Sequence, residues 1–173
     1  MNSLNFVDYM RDLATQSTLI NHTESQKRFY RVSGIRSLEE VLTNLLHAEV
    51  PAIGVDDGFE GRLMNNRGDS TIDRQYYMFY VFGRIALHDH DQIEQEKRQI
   101  KEIAVSFISK IIADHKSDFS LQTNYGLRHL DISSFSYRTI APLPDGLIAL
   151  AVSFVTDNTL NTKPNPLHWT VEE

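Results

Sequence analysis

The chain has 173 residues, 41% of them hydrophobic, a formal net charge of −6 and no cysteine. That length accommodates one domain with a sizeable core and is short for two, while the lack of cysteine excludes disulfides, thiolate metal sites and cysteine nucleophiles. The acidic balance disfavours unspecific nucleic-acid binding. With no secretory leader and no apolar run of roughly 18 residues, a soluble cytoplasmic protein with no membrane partner is expected.

Taken in chain order, Leu4, Val7, Met10, Leu13 and Ala14 recur every three or four residues, which predicts a helix from Ser3, as its cap, to Gln16. A polar link over Thr15 to Lys27 leads to the apolar pair Phe29 and Tyr30. Ser37 and Glu40 have capping-box spacing, and Leu38, Val41, Leu42, Leu45 and Leu46 continue a second helix that must stop before Pro51. Val50 to Val55 reads as a short strand that Pro51 confines to an edge or a strand's first position. Asp56 to Asp73, rich in glycine and charge, reads as a long hairpin or loop. Tyr76 to Leu87 is aromatic and β-branched on both faces, the mark of a central strand.

The stretch from Asp91 to Asp114 carries the strongest signal. Stepped at 100° per residue from Ile93, the side chains of Ile100, Ala104, Phe107, Ile108 and Ile111 fall on one stripe, flanked by Ile103 and Ile112. The result is an amphipathic helix roughly 33 Å long, with Asp91 as its cap and Glu94 placed to pair with Arg98 on the exposed face. Lys97 falls inside the stripe, where its stem would cover carbon. Lys116 to Arg128 reads as loop. Two strands follow, Ile132 to Ile140 and Leu147 to Thr156, joined by the turn sequence APLPDG. In the second, Ile148, Leu150, Val152 and Phe154 alternate with Ala149, Ala151 and Ser153, small enough for close packing beneath a helix or a neighbouring chain. The expected fold is α+β: an antiparallel sheet with the long helix on one face and N-terminal helices, forming a domain over residues 1–157, with 158–173 as an extended tail.

Several residues invite a chemical reading. His88 and His90, with Asp89 and Asp91, resemble a metal pair and would make the chain a metal-dependent hydrolase. A strand ending and a helix beginning select the same short polar residues, and no third ligand follows at a recognisable spacing. The residues Asp56, Asp57, Glu60, Asp69 and Asp73 are accounted for by a solvated acidic loop. His47 and His115 lie near helix ends, where a favourable interaction with the helix dipole accounts for them without function. Arg67, Gly68 and Asp69 spell an adhesion tripeptide, and Asn21, His22 and Thr23 a glycosylation sequon; neither has meaning without export. No Walker loop, G-x-S-x-G, G-x-G-x-x-G or H-E-x-x-H is present. No catalytic residue, cofactor or metal is therefore assigned.

Across roughly Ser37 to Thr156, the strand YYMFYVFGRIAL, the helix opening HDQIEQEKRQI and the paired strands DISSFSYRTI and GLIALAVSFV around APLPDG form an order of elements. This order resembles the tail-terminator and tail-completion (neck) proteins of tailed bacteriophages and their prophage relatives. The resemblance implies a non-catalytic homo-oligomer, commonly a hexameric ring at the end of the tail tube, in contact with tube or neck proteins. It further implies assembly in the bacterial cytoplasm and incorporation into a virion. A closed ring needs two different complementary patches; the loop around Arg67 and Asp69 is one candidate, and the tail with Trp169 the other. The alternative without assembly is an adaptor that binds a peptide or protein through an exposed sheet edge.

Overall fold

The computed structural model describes residues 4–32, 49–58, 60–65, 71–85, 90–121, 127, 129–140 and 146–160. The expected helix over Ser37 to Leu46, the loop around Arg67 and the chain beyond Leu160 lie outside them. Among the described residues two helices and six strands follow in the order α1 (Phe6–Gln16), β1 (Phe29–Val32), β2 (Ala52–Asp56), β3 (Glu60–Asn65), β4 (Thr71–Arg84), α2 (His90–Leu121), β5 (Leu130–Ile140) and β6 (Leu147–Leu160). The protein is α+β, and no described helix is long and apolar enough to cross a membrane.

β4 and β6 form the spine. They pair antiparallel over fourteen residues each, from Thr71 opposite Leu160 to Arg84 opposite Leu147, without a slip. At the Arg84–Leu147 end of this pair the backbone needs Gly146: its φ is +70°, and a Cβ there would lie 2.4 Å from the Ile85 carbonyl oxygen. Ile85 N–H donates to the Gly146 carbonyl at 2.7 Å, closing the ladder. From this spine the sheet runs β1-β2-β4-β6-β5, with β3 also paired to β4. β3 takes the first half of β4 (Glu60 opposite Tyr76) and β2 the second (Ile53 opposite Val81). All pairs are antiparallel except β1–β2, which is parallel. A parallel pair requires a crossover of a dozen or more residues, and the stretch between Val32 and Ala52 has that length.

The apolar stripe of α2 packs where its periodicity directs it. Ile100, Ile103, Ala104, Phe107 and Ile111 are buried against Phe79 and Val81 of β4 and the large-residue face of β6. Beside it lies α1, whose Phe6 ring meets Tyr77 and Phe154 at centroid distances of 5.0 and 5.6 Å. Tyr9 donates its hydroxyl to Asp114 at 2.9 Å, clasping α1 to α2, while Lys110 holds the other carboxylate oxygen at 2.6 Å. A smaller apolar cluster of Tyr30, Val32, Ala52, Phe82, Leu147 and Ala149 occupies the opposite face of the sheet near β1 and β2.

Several element boundaries differ from the sequence reading, each for a local reason. α1 is capped by Asn5, whose side-chain oxygen accepts from Asp8 N–H, and not by Ser3. α2 spans 32 residues, about 48 Å, running past Asp114 through residues that lack an apolar repeat but contain no helix breaker. Asp91 sits in its first turn, behind His90, and not at the cap. Glu94 pairs with Lys97 at 2.8 Å, so Lys97 is exposed and ion-paired instead of covering the stripe. β6 runs on to Leu160, so 158–160 belong to a strand and not to a tail.

Candidate functional site

The sheet has two unlike margins. At one end β5 pairs with β6 alone, and its two halves are built differently. Between the pairs Asp131–Val155 and Ser136–Ser153 the register shifts, and four residues of β5 face one of β6. This bulge is stitched by side chains: Asp131 Oδ1 accepts from Ser133 N–H at 3.0 Å, and the Ser134 hydroxyl takes the Val155 N–H at 2.9 Å. Bulges of this kind blunt an edge against further pairing. From Ser136 to Ile140 the ladder is regular, and these five residues are exposed or half-buried, Tyr137 51% so. Among the described residues nothing pairs with the outer side of this stretch. At the opposite margin β1 is short, pairs among the described residues with β2 alone, and carries Arg31 exposed between the buried Tyr30 and Val32.

Next to β5, on the face away from the helices, Met78, Ser136, Arg138, Ala151 and Ser153 line a shallow hollow of about 220 Å³. Its floor is low because β6 presents only small side chains there. Ser136 and Ser153 hydroxyls bridge the strands at 2.8 Å. Tyr80 stands between Asp56 and Arg138; its phenol is pushed above the ordinary tyrosine range by burial first and by the Asp56 charge second, with Arg138 opposing. The patch offers hydroxyls, a guanidinium and aromatic edges, a surface suited to contact.

A larger cleft, about 500 Å³, opens beside β1. It is lined by Arg11 of α1, by His22, Glu24 and Lys27 of the link, and by Phe29, Tyr30 and Arg31 of β1. Cations lie on its aromatic walls: the Arg11 guanidinium is 5.5 Å from the Phe29 ring centre and the Lys27 ammonium 5.5 Å from that of Tyr30. His22 Nδ1 accepts from Arg28 N–H at 3.2 Å, which fixes the ring over the start of the strand. Sequence reasoning missed this site because its walls come from α1 and β1, distant in the chain. The available signal was the run Lys27-Arg28-Phe29-Tyr30-Arg31, dense in cations and aromatics within an acidic chain.

The residues singled out earlier are placed as follows. Arg67, Asp69, Trp169, His88 and His47 lie outside the described residues. His90 opens α2 and is exposed, and among the described residues no three of His, Cys, Asp and Glu are grouped to hold a metal ion. Among the described residues the acidic side chains of this loop have separate partners: Asp56 accepts from Gly58 N–H, Asp57 pairs with Arg31, and Asp73 accepts from Gln75. His115 donates from Nδ1 to the Leu127 carbonyl at 2.7 Å, so it ties the end of α2 to the following chain. Arg74 grips Asp157 across β4 and β6 through two bonds of 2.7 and 2.5 Å. The guanidinium holds that carboxyl below the ordinary carboxylate range, although partial burial opposes the shift. No protein-family model matches the chain, and no curated protein matches its sequence.

Proposed function

We propose that this protein is a non-catalytic assembly protein of the tail-terminator or tail-completion kind, whose copies join head to tail through two unlike sheet margins. The observation that carries the reading is the regular stretch Ser136 to Ile140 at one margin, unpaired on its outer side among the described residues, with the short β1 at the other. Two different margins, each without an outer strand among the described residues, suit a heterologous contact, which closes into a ring when the rotation per subunit allows it. The bulge at Asp131 to Ser136 then acts as a stop, restricting pairing to one register of about five residues. Location at a phage tail tube or neck, a six-membered ring and assembly within a bacterial cell rest on the sequence resemblance.

The test is sedimentation velocity of the full chain over a wide concentration range, alongside Tyr137→Glu. The substitution places a carboxylate on the exposed edge while leaving Lys101, whose ammonium lies 5.5 Å from the Tyr137 ring centre, a partner. A closed oligomer that weakens at least about tenfold in the variant supports the reading. A monomer at every concentration removes it and favours the adaptor, in which the same edge receives a peptide strand.

A further inference from the structure

We infer that the outer edge of β5 pairs antiparallel with β1 of a second copy, Tyr137 opposite Arg31 and Thr139 opposite Phe29, and that Arg138 bars β5 from pairing with itself. The inference rests on the self-assembly reading and fixes the direction and register of its joint. Alternation of the backbone identifies what each margin turns outward. On β6 the Val155 and Asp157 amides point toward β5, the first donating to the Ser134 hydroxyl and the second to the His129 carbonyl. The same parity aims Ser153, Ala151 and Ala149 at their opposites Ser136, Arg138 and Ile140, which leaves the main-chain groups of Tyr137 and Thr139 facing outward. On β1 the Arg28 and Val32 carbonyls accept from the Ile53 and Asp57 amides, so Tyr30 also faces β2 while Phe29 and Arg31 face outward. Among the described residues no strand lies beyond either edge.

Strand direction and side-chain faces agree on one arrangement. β5 runs against β6, β6 against β4 and β4 against β2, while β1 runs with β2. β1 therefore runs against β5, and a second copy set alongside with the same strand direction presents it antiparallel. Residues directly opposite in such a pair share a face. Phe29 belongs to the core beneath the helices, with Arg31 two residues on, and the Lys101 ammonium of α2 lies 5.5 Å from the Tyr137 ring centre, with Thr139 two residues on. All four outward residues thus carry their side chains on the helix side, and the helices of both copies stay on one face of a continued sheet. Full overlap of the two short edges gives two hydrogen-bonded pairs, about four main-chain bonds, and a slip of two residues either way loses half of them. Self-pairing of β5 about a twofold axis also overlaps fully, but it sets Arg138 against Arg138 of the second copy with about 4.5 Å between Cα atoms, a destabilising opposition of like charges. Against β1, Arg138 meets Tyr30 instead, a cation beside an aromatic ring on the face away from the helices.

The chain has no cysteine, so introduced thiols report on chosen contacts alone. Single-cysteine variants of the full chain are mixed in equal amounts under mild oxidation, and the cross-linked dimer is read on a denaturing gel. Tyr137→Cys mixed with Arg31→Cys should cross-link, because a hydrogen-bonded pair sets Cα atoms about 5.5 Å apart, within disulfide reach. In the same register Thr139→Cys and Arg31→Cys lie more than about 7 Å apart, and their mixture should yield at least about tenfold less. Tyr137→Cys mixed with Thr139→Cys reports self-pairing of β5 and should stay unlinked until Arg138→Ser is added to both chains. The substituted side chains are all exposed, so thermal melts should match wild type. A dominant link between positions 139 and 31 overturns the register, and a link between 137 and 139 with Arg138 in place, or none after Arg138→Ser, overturns the role of Arg138. An oligomer in sedimentation without the link between 137 and 31 removes this joint yet leaves self-assembly standing, whereas a monomer throughout removes both.

Discussion

On the face covered by α1 and α2 the sheet presents Phe79, Ile148, Leu150, Val152 and Phe154, none more than 4% exposed; on the other face β2 and β6 present Gly54, Ala149, Ala151 and Ser153, and Tyr76 of β4 stands 40% exposed. The same two-residue alternation along β6 thus yields a core on one side and a low, partly open floor on the other. Side-chain size decides the difference. Large residues fill the space beneath helices that belong to the chain, and small ones leave the backbone close to whatever is laid on that face. The covered face should govern stability, and the open face and the margins should govern association.

Three substitutions break or sharpen this contrast. The largest effect is expected from Phe79→Ala, which leaves a cavity between β4 and α2, where Phe79 and Phe107 lie 6.1 Å apart. A loss of about 3–5 kcal/mol in chemical denaturation is expected. Gly54→Ala tests the tightest point of the opposite face. Its Cβ would lie 2.6 Å from Phe82 Cε2, and Phe82 is fully buried and stacked on Tyr80. The ring can shift only by disturbing its cluster, so a loss of about 1–3 kcal/mol is expected. Should this substitution prove neutral, that cluster packs more loosely than the covered core.

The smallest effect depends on pH. The Asp157 carboxyl titrates below its unfolded value because Arg74 binds its charged form, so the pair contributes stability above the ordinary aspartate range, near pH 4. That contribution is lost as pH falls through the lower, folded-state value. Asp157→Asn should therefore reduce stability at neutral pH and make it fall less steeply below about pH 4 than in wild type, as read from thermal melts across pH. Equal slopes in the two proteins would show that the pair is not formed in solution.

How much of this architecture could be read in the residues varied with the length and regularity of each element. α2 was legible because five core side chains recur at helical spacing, and β6 because large and small residues alternate over a full strand. The end of α2 was not: His115 to Leu121 continues the helix without continuing the apolar stripe. β1 escaped notice because it is four residues long with two adjacent buried aromatics, and its parallel partner is set by tertiary structure. β3 is solvated on almost every residue, so its hairpin with β4 leaves no alternation to detect. Of the candidate contacts, Arg67, Asp69 and Trp169 were chosen for display on loops or tail and lie outside the described residues. The margins of the sheet and the cleft beside β1 arise only when distant segments meet.

The central claim, that copies of this chain join by strand pairing at β5 and β1, is tested most directly by amide hydrogen exchange. Spectra recorded at dilute and concentrated extremes compare the same backbone groups with and without a neighbour. Outward-facing amides within Ser136 to Ile140 and Phe29 to Val32 should exchange rapidly when dilute and become protected together on concentration, with the β4–β6 spine unchanged. Assembly that leaves both edges exchanging at their dilute rate would contradict the account.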